Sequence, residues 1–247
     1  MDLIEIPVND GTAEAYVARP ASGSGPGVLL FMDAIGLRPQ IARMADRIAG
    51  WGYVVLAPNV FWREGSAQET SPTADLREPG AREEFMGSAM GRVGRLTTDQ
   101  AQPDIAAYLD ALAGLDGVVG DKVGVVGYCM GVRLALRAAS RHPERVAAVG
   151  GFHGGGLVTD EPDSPHLGLA NARAEFVLGH ADHDGSMPPE AVQALGEALE
   201  KAGLRARNEI YPDAPHGYSM ADTSMYQEAG AERSFTELEE LYRRTLG

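Results

Sequence analysis

Residues 123–141 pass from a β-branched run into an amphipathic helix with almost no connecting chain, and that abruptness restricts the folds open to the sequence. Val123-Gly124-Val125-Val126 reads as a strand. Met130 to Arg141 reads as a helix, with Val132, Leu134, Ala135, Leu136 and Ala138 on an apolar stripe and Arg133, Arg137 and Arg141 at four-residue spacing on the other face. Between them stands Gly127-Tyr128-Cys129-Met130-Gly131. A strand that reverses sharply into a helix forces its central residue into a strained backbone conformation, and the small residues on either side give the clearance that the turn needs. The central side chain is then held proud of the sheet. Here it is Cys129, the only cysteine of the chain. Among 31 glycines the bare Gly-x-x-x-Gly pattern recurs by chance, and a lone cysteine is ordinarily inert packing. The strand before and the helix after are what make this one a turn that presents a nucleophile.

A nucleophilic thiol needs a base, and the base needs an orienting carboxylate. Hydrolases built on open α/β sheets carry them in the chain order nucleophile, acid, histidine. The short apolar strand Phe176-Val177-Leu178-Gly179 runs into His180-Ala181-Asp182-His183-Asp184-Gly185-Ser186-Met187-Pro188. Further on, Arg207-Asn208-Glu209-Ile210-Tyr211 reads as a strand followed by Pro212-Asp213-Ala214-Pro215-His216-Gly217-Tyr218. Both loops leave the C-terminal ends of strands, the edge at which such sheets place their chemistry.

The rest of the chain alternates in the same manner. Leu3–Val8 and Ala13–Arg19 form a hairpin across Asn9-Asp10-Gly11, a strong turn signal. Strands are expected at 27–32, 53–57, 146–149, 175–178 and 206–211. Helices are expected at 41–49, 99–112, 190–202 and within 223–246. The expected fold is α/β, a mostly parallel sheet flanked by helices on both faces with the hairpin as its antiparallel edge, in a single domain over residues 1–247. Residues 59–98 resist the pattern, mixing Gly, Pro and charge with Phe61, Trp62, Phe85, Met86 and Met90. Such long excursions are usually functional, and this one, with Trp62, Arg82, Arg92 and Arg95, is expected to form a wall of the substrate pocket.

The cysteine-centred turn, the Ala-Asp-x-Asp-x-x-x-Pro loop and the Pro-x-Ala-x-His-Gly-Tyr-type loop together resemble the dienelactone hydrolase family of α/β-hydrolases. The resemblance runs from the first strands to the final helix. It implies a Cys129, Asp184, His216 triad, because the family's acid is followed four residues later by proline, as Asp184 is by Pro188. The spacing Gly179-x-x-Asp182, common among α/β-hydrolases at large, favours Asp182 instead. The oxyanion donors are expected to be the backbone amides of Met130, after the nucleophile, and Ala34, in the loop Asp33-Ala34-Ile35-Gly36. The family has a glutamate just before Ala34 that is associated with cysteine activation. Asp33 stands there, one methylene shorter, either in that role or capping its own loop. An arginine expected shortly after the histidine is replaced by Met220, which leaves Arg92 or Arg95 to hold an acidic substrate.

His153-Gly154-Gly155-Gly156 imitates a lipase oxyanion motif, but it follows the nucleophile rather than preceding it and reads as a tight turn; His153 remains a candidate to border the pocket. His180 and His183 read as solvated. The cluster from His180 to Asp184 fits no standard zinc spacing, so neither metal nor cofactor is expected. With 21 basic and 35 acidic residues the net charge is −14, which disfavours nucleic acid and anionic membranes as partners. No secretory signal or membrane span is visible, so a cytoplasmic enzyme is expected, as a monomer or homodimer. The expected activity is hydrolysis of small carboxylic esters or lactones through a thioester. The alternatives are a broad carboxylesterase, a catalytically silent binding protein or a thiol redox sensor, the last lacking a resolving cysteine.

Overall fold

The computed structural model describes all 247 residues. Eight strands form one sheet in the order β1-β2-β4-β3-β5-β6-β7-β8. They are β1 (Leu3–Val8), β2 (Gly11–Ala18), β3 (Gly25–Phe31), β4 (Val54–Pro58), β5 (Val118–Tyr128), β6 (Val146–Phe152), β7 (Glu175–His180) and β8 (Ala206–Ile210). The β1–β2 and β2–β4 pairs are antiparallel and the pairs from β4 through β8 parallel, so the expected edge hairpin and parallel centre are both present. The central strands read as continuous apolar runs because helices cover both faces. Val28 to Phe31, Val125, Val126, Val149 and Leu178 are all buried in one core cluster.

Helices α1 (Pro39–Ala49), α4 (Thr98–Ala113), α5 (Gly131–Arg141), α6 (Pro189–Lys201) and α7 (Glu228–Thr245) lie where the hydrophobic spacing predicts them. Between β4 and α4, where no element was expected, the chain forms a single turn, α2 (Ala67–Thr70), and a 15-residue helix, α3 (Ala81–Arg95). A short 3-10 helix at Pro165–Asn171 was also not foreseen.

The topology positions the site. After β3 the chain moves outward to β4, and it then returns past β3 to β5. The order therefore reverses between β3 and β5, and the loops leaving their carboxyl ends meet in the crevice where open α/β sheets bind ligands. Those loops are 32–38 and the Cys129 turn.

Candidate active site

Cys129 sits at the apex of the β5–α5 turn with φ of 53°, the strained left-handed conformation expected for it. The backbone is clamped there, since Cys129 N donates to Phe152 O at 3.1 Å and Val132 N donates to Cys129 O at 3.2 Å. The flanking glycines are required by close approach. A Cβ on Gly127 would lie 2.3 Å from Gly131 O, and one on Gly131 would lie 2.6 Å from both Phe31 O and Met32 O.

Three distant side chains converge on this turn. His216 Nε2 is 3.1 Å from Cys129 Sγ, and His216 Nδ1 is 2.6 Å from Asp184 Oδ2. The other oxygen of Asp184 accepts from Ser186 N at 2.9 Å and Ser186 Oγ at 2.7 Å. Burial pushes the Asp184 carboxyl up, but the bonds from His216 and Ser186 outweigh it and hold its pKa at about 2. Burial likewise opposes charge on His216, and its bonds to Asp184 and Cys129 overcome that to raise it to about 10. Asp182 does a different job. Its oxygens accept from His183 N and Asp213 N, both at 2.9 Å, so it braces the acid loop against the histidine loop and does not touch His216.

Three further histidines lie on the strands and loops around the triad. His180 is buried rather than solvated, with Nε2 2.7 Å from Asn208 Oδ1, because β8 covers the end of β7. His183 is exposed, and no group of three or more His, Cys, Asp or Glu side chains is placed to hold a metal ion. His153 is fully buried and lines the cavity beside Cys129. Its ring packs edge-on against His216 at 5.4 Å and Tyr218 at 5.0 Å, and Nε2 lies 2.7 Å from Ser219 Oγ. Burial, with His216 nearby, holds it well below the usual histidine range, so it is neutral.

In the loop after β3, Asp33 is fully engaged. Both of its carboxylate oxygens are engaged by Arg38, at 2.6 and 3.1 Å, and Oδ1 also accepts from Ile35 N at 3.1 Å. Arg38 in turn donates to Asp222 at 2.6 and 3.1 Å and to Gly36 O at 3.1 Å. Asp33 thus lines the thiol cavity while its carboxylate caps and ion-pairs its own loop, in a network that ties the β3 loop to the segment after His216. Neither Ala34 N nor Met130 N, the two expected oxyanion donors, gives its hydrogen to a backbone carbonyl.

The wall assigned to residues 59–98 is present, and of its four named members only Arg82 lines the cavity. Arg82 and Met86, one turn apart on α3, line the cavity with Cys129, His216, Gly217, Met220 and Thr223. Trp62 lies elsewhere, its indole donating to Asp104 of α4 at 3.0 Å under the Arg63 guanidinium. Arg95 is exposed and bonded twice to Glu64. Arg92 points at the β3 loop, donating to the carbonyls of Ala34 and Ile35 at 2.8 and 3.2 Å. Arg82 shares the segment with these residues, and only its place early in α3, unrecognised as a helix, distinguishes it. The free space at the thiol is about 20 Å³, room for about one water.

The dienelactone hydrolase family model matches residues 13–246. The chain belongs to the dienelactone hydrolase family. A Salmonella typhi protein named "Putative carboxymethylenebutenolidase" is 28% identical over 236 residues, 93% of this chain and 82% of that one. The carboxymethylenebutenolidase of Pseudomonas sp. strain P51 is 25% identical over 213 residues, 86% of this chain and 82% of that one. The crystal structure titled "Putative Dienelactone Hydrolase" from Klebsiella pneumoniae superposes with a TM-score of 0.81 at 22% identity, covering 98% of each chain. Family membership makes the protein a hydrolase of the ester or lactone class. No helix is long and apolar enough to cross a membrane.

Proposed function

We propose that the protein hydrolyses small activated esters or lactones with Cys129 as nucleophile, His216 as general base and acid, and Asp184 as the residue that orients and charges His216. The observation that carries this is a single imidazole in hydrogen-bond contact with both the lone thiol, at 3.1 Å, and a carboxylate, at 2.6 Å. With its proton held on His216 Nε2, Cys129 Sγ attacks the carbonyl carbon, and the resulting oxyanion accepts from the amides of Ala34 and Met130. The tetrahedral adduct collapses, the bond to the leaving oxygen breaks, and His216 protonates that oxygen. Water, deprotonated by His216, then attacks the thioester, and Cys129 leaves as thiolate to close the cycle. A thiolate is formed more readily than an alkoxide near neutral pH, and it suits carbonyls with good leaving groups such as enol lactones.

Arg82 supports a preference for substrates that carry a carboxylate. It lines the thiol cavity, and its one carboxylate neighbour is the exposed Glu83, at 3.8 Å. A guanidinium so weakly paired is free to take a carboxylate in two parallel bonds.

Turnover of p-nitrophenyl acetate before and after iodoacetamide treatment tests the nucleophile. Hydrolysis should vanish on alkylation and in Cys129→Ala, with the fold retained by circular dichroism. Full turnover in Cys129→Ala sinks the reading.

A further inference from the structure

Arg92 has no carboxylate partner. Its guanidinium is half-buried on α3 over the rings of Phe61, at 4.8 Å, and Phe85, at 5.3 Å, with Nε buried and unbonded. Burial lowers its pKa, which marks a charge held at some expense. The bonds that it does make both go to the loop between β3 and α1, to Ala34 O and Ile35 O.

The hydrogen bonds of that loop can be followed atom by atom. Gly36 N donates to Asp33 O at 3.3 Å, and Ile35 N donates to Asp33 Oδ1 at 3.1 Å. Gly36 O accepts from Arg38, while Ala34 O and Ile35 O accept from Arg92. Among the amides of residues 34–36, only that of Ala34 lacks a partner within the loop or on a backbone carbonyl. The loop is thus held on both sides of the peptide that carries the Ala34 N–H: Asp33 O and the Asp33 carboxylate are bound by Gly36 N and Arg38, and the carbonyls of Ala34 and Ile35, just after it, are bound by Arg92 from α3. The second anchor belongs to the same helix that carries Arg82 and Met86 over the thiol.

We propose that Arg92 is a positioning residue for the oxyanion: by gripping the carbonyls of Ala34 and Ile35 it holds the backbone turn from which the Ala34 amide is presented to the reacting carbonyl oxygen, and it couples the seating of α3 to the assembly of that donor pair. This rests on the thiol-based reading above. Arg92 touches neither the thiol nor His216, so it acts on the charged intermediate and not on nucleophile activation. A misaimed donor forfeits much of what an oxyanion amide contributes, since the effect depends on distances of about 2.7–3.1 Å to the developing charge.

The test combines Arg92→Met, which keeps an apolar stem over the two rings, with Arg92→Lys, which keeps the charge and loses the fork spanning two carbonyls. In both, kcat for p-nitrophenyl acetate should fall by roughly 10- to 100-fold, a part of the loss seen when an oxyanion donor is removed, with KM changed less than about threefold. A small trifluoromethyl ketone, whose carbonyl carbon takes the thiolate and becomes a tetrahedral oxyanion, should bind more weakly by the same factor as the loss in kcat/KM. Alkylation of Cys129 by iodoacetamide, which forms no oxyanion, should proceed at the wild-type rate. If Arg92→Met does not fold, the Lys variant decides. Wild-type kcat in the folded variants, or equal losses in alkylation and hydrolysis, overturns the proposal. If iodoacetamide leaves the wild type active, the thiol reading itself is wrong and this inference falls with it. If alkylation kills the wild type but the Arg92 variants keep their kcat, only the inference falls.

Discussion

At the scale of single residues, the order nucleophile, acid, histidine and the loops carrying them are visible in the sequence because each follows a short apolar strand. What spacing leaves open is which aspartate serves. The geometry puts Asp184 against His216 and Asp182 against two backbone amides. Asp184→Asn should therefore cut kcat by about 10³–10⁴-fold through loss of the imidazole's orientation and charge, whereas Asp182→Asn should lower the melting temperature more than kcat. The opposite ranking in parallel steady-state assays would reassign the acid. His216, raised to about 10, also links stability to pH. Because its folded value exceeds the unfolded one, its contribution is complete below about pH 6.5 and is lost as pH rises through about 10. The stability difference between the wild type and His216→Asn, measured in urea, should accordingly shrink between neutral pH and pH 10. The ties of Asp33 and Arg92 were not legible. Asp33 is matched to a neighbour, Arg38, that is itself held by Asp222 from 184 residues away, and Arg92 reaches back 58 residues. Long-range partners leave no local pattern to read.

Among the elements, periodicity served well where helices pack on the sheet and failed where one does not. Helices α1 and α5 bury a broad stripe, while α3 buries only Ala89 and Val93 and carries Gly87, Gly91 and Gly94. Three glycines and a ring of charge erase the apolar spacing that identifies a helix, so α3, with the pocket arginine at its start, was read as irregular chain. A Cβ at Gly87 meets nothing within 4 Å. Gly87→Ala should raise stability by up to about 1 kcal/mol, seen as a higher urea midpoint at unchanged m-value. Gly131 is the contrary case. A methyl there would press into two backbone carbonyls of the β3 end, and Gly131→Ala should cost about 1–3 kcal/mol while also displacing the thiol, so that stability and kcat fall together.

For the whole molecule, the alternation of strands and helices was enough to anticipate a mostly parallel sheet, and the crevice at its reversal point follows from strand order alone. The net charge of −14 then acts on every approaching ligand. An anionic ester must cross a repulsive field before it meets Arg82, so its kcat/KM should rise as salt is added from about 0.01 to 0.15 M, while that of a neutral ester stays flat. A stopped-flow comparison of a matched pair, such as p-nitrophenyl acetate and p-nitrophenyl hemisuccinate, distinguishes the two. The cramped space at Cys129 adds a selection that charge cannot impose. With Arg82, Met86 and Met220 standing around the sulfur, any ester larger than a water has to displace these side chains, so the rates at which electrophiles of increasing bulk modify Cys129 read how readily α3 yields.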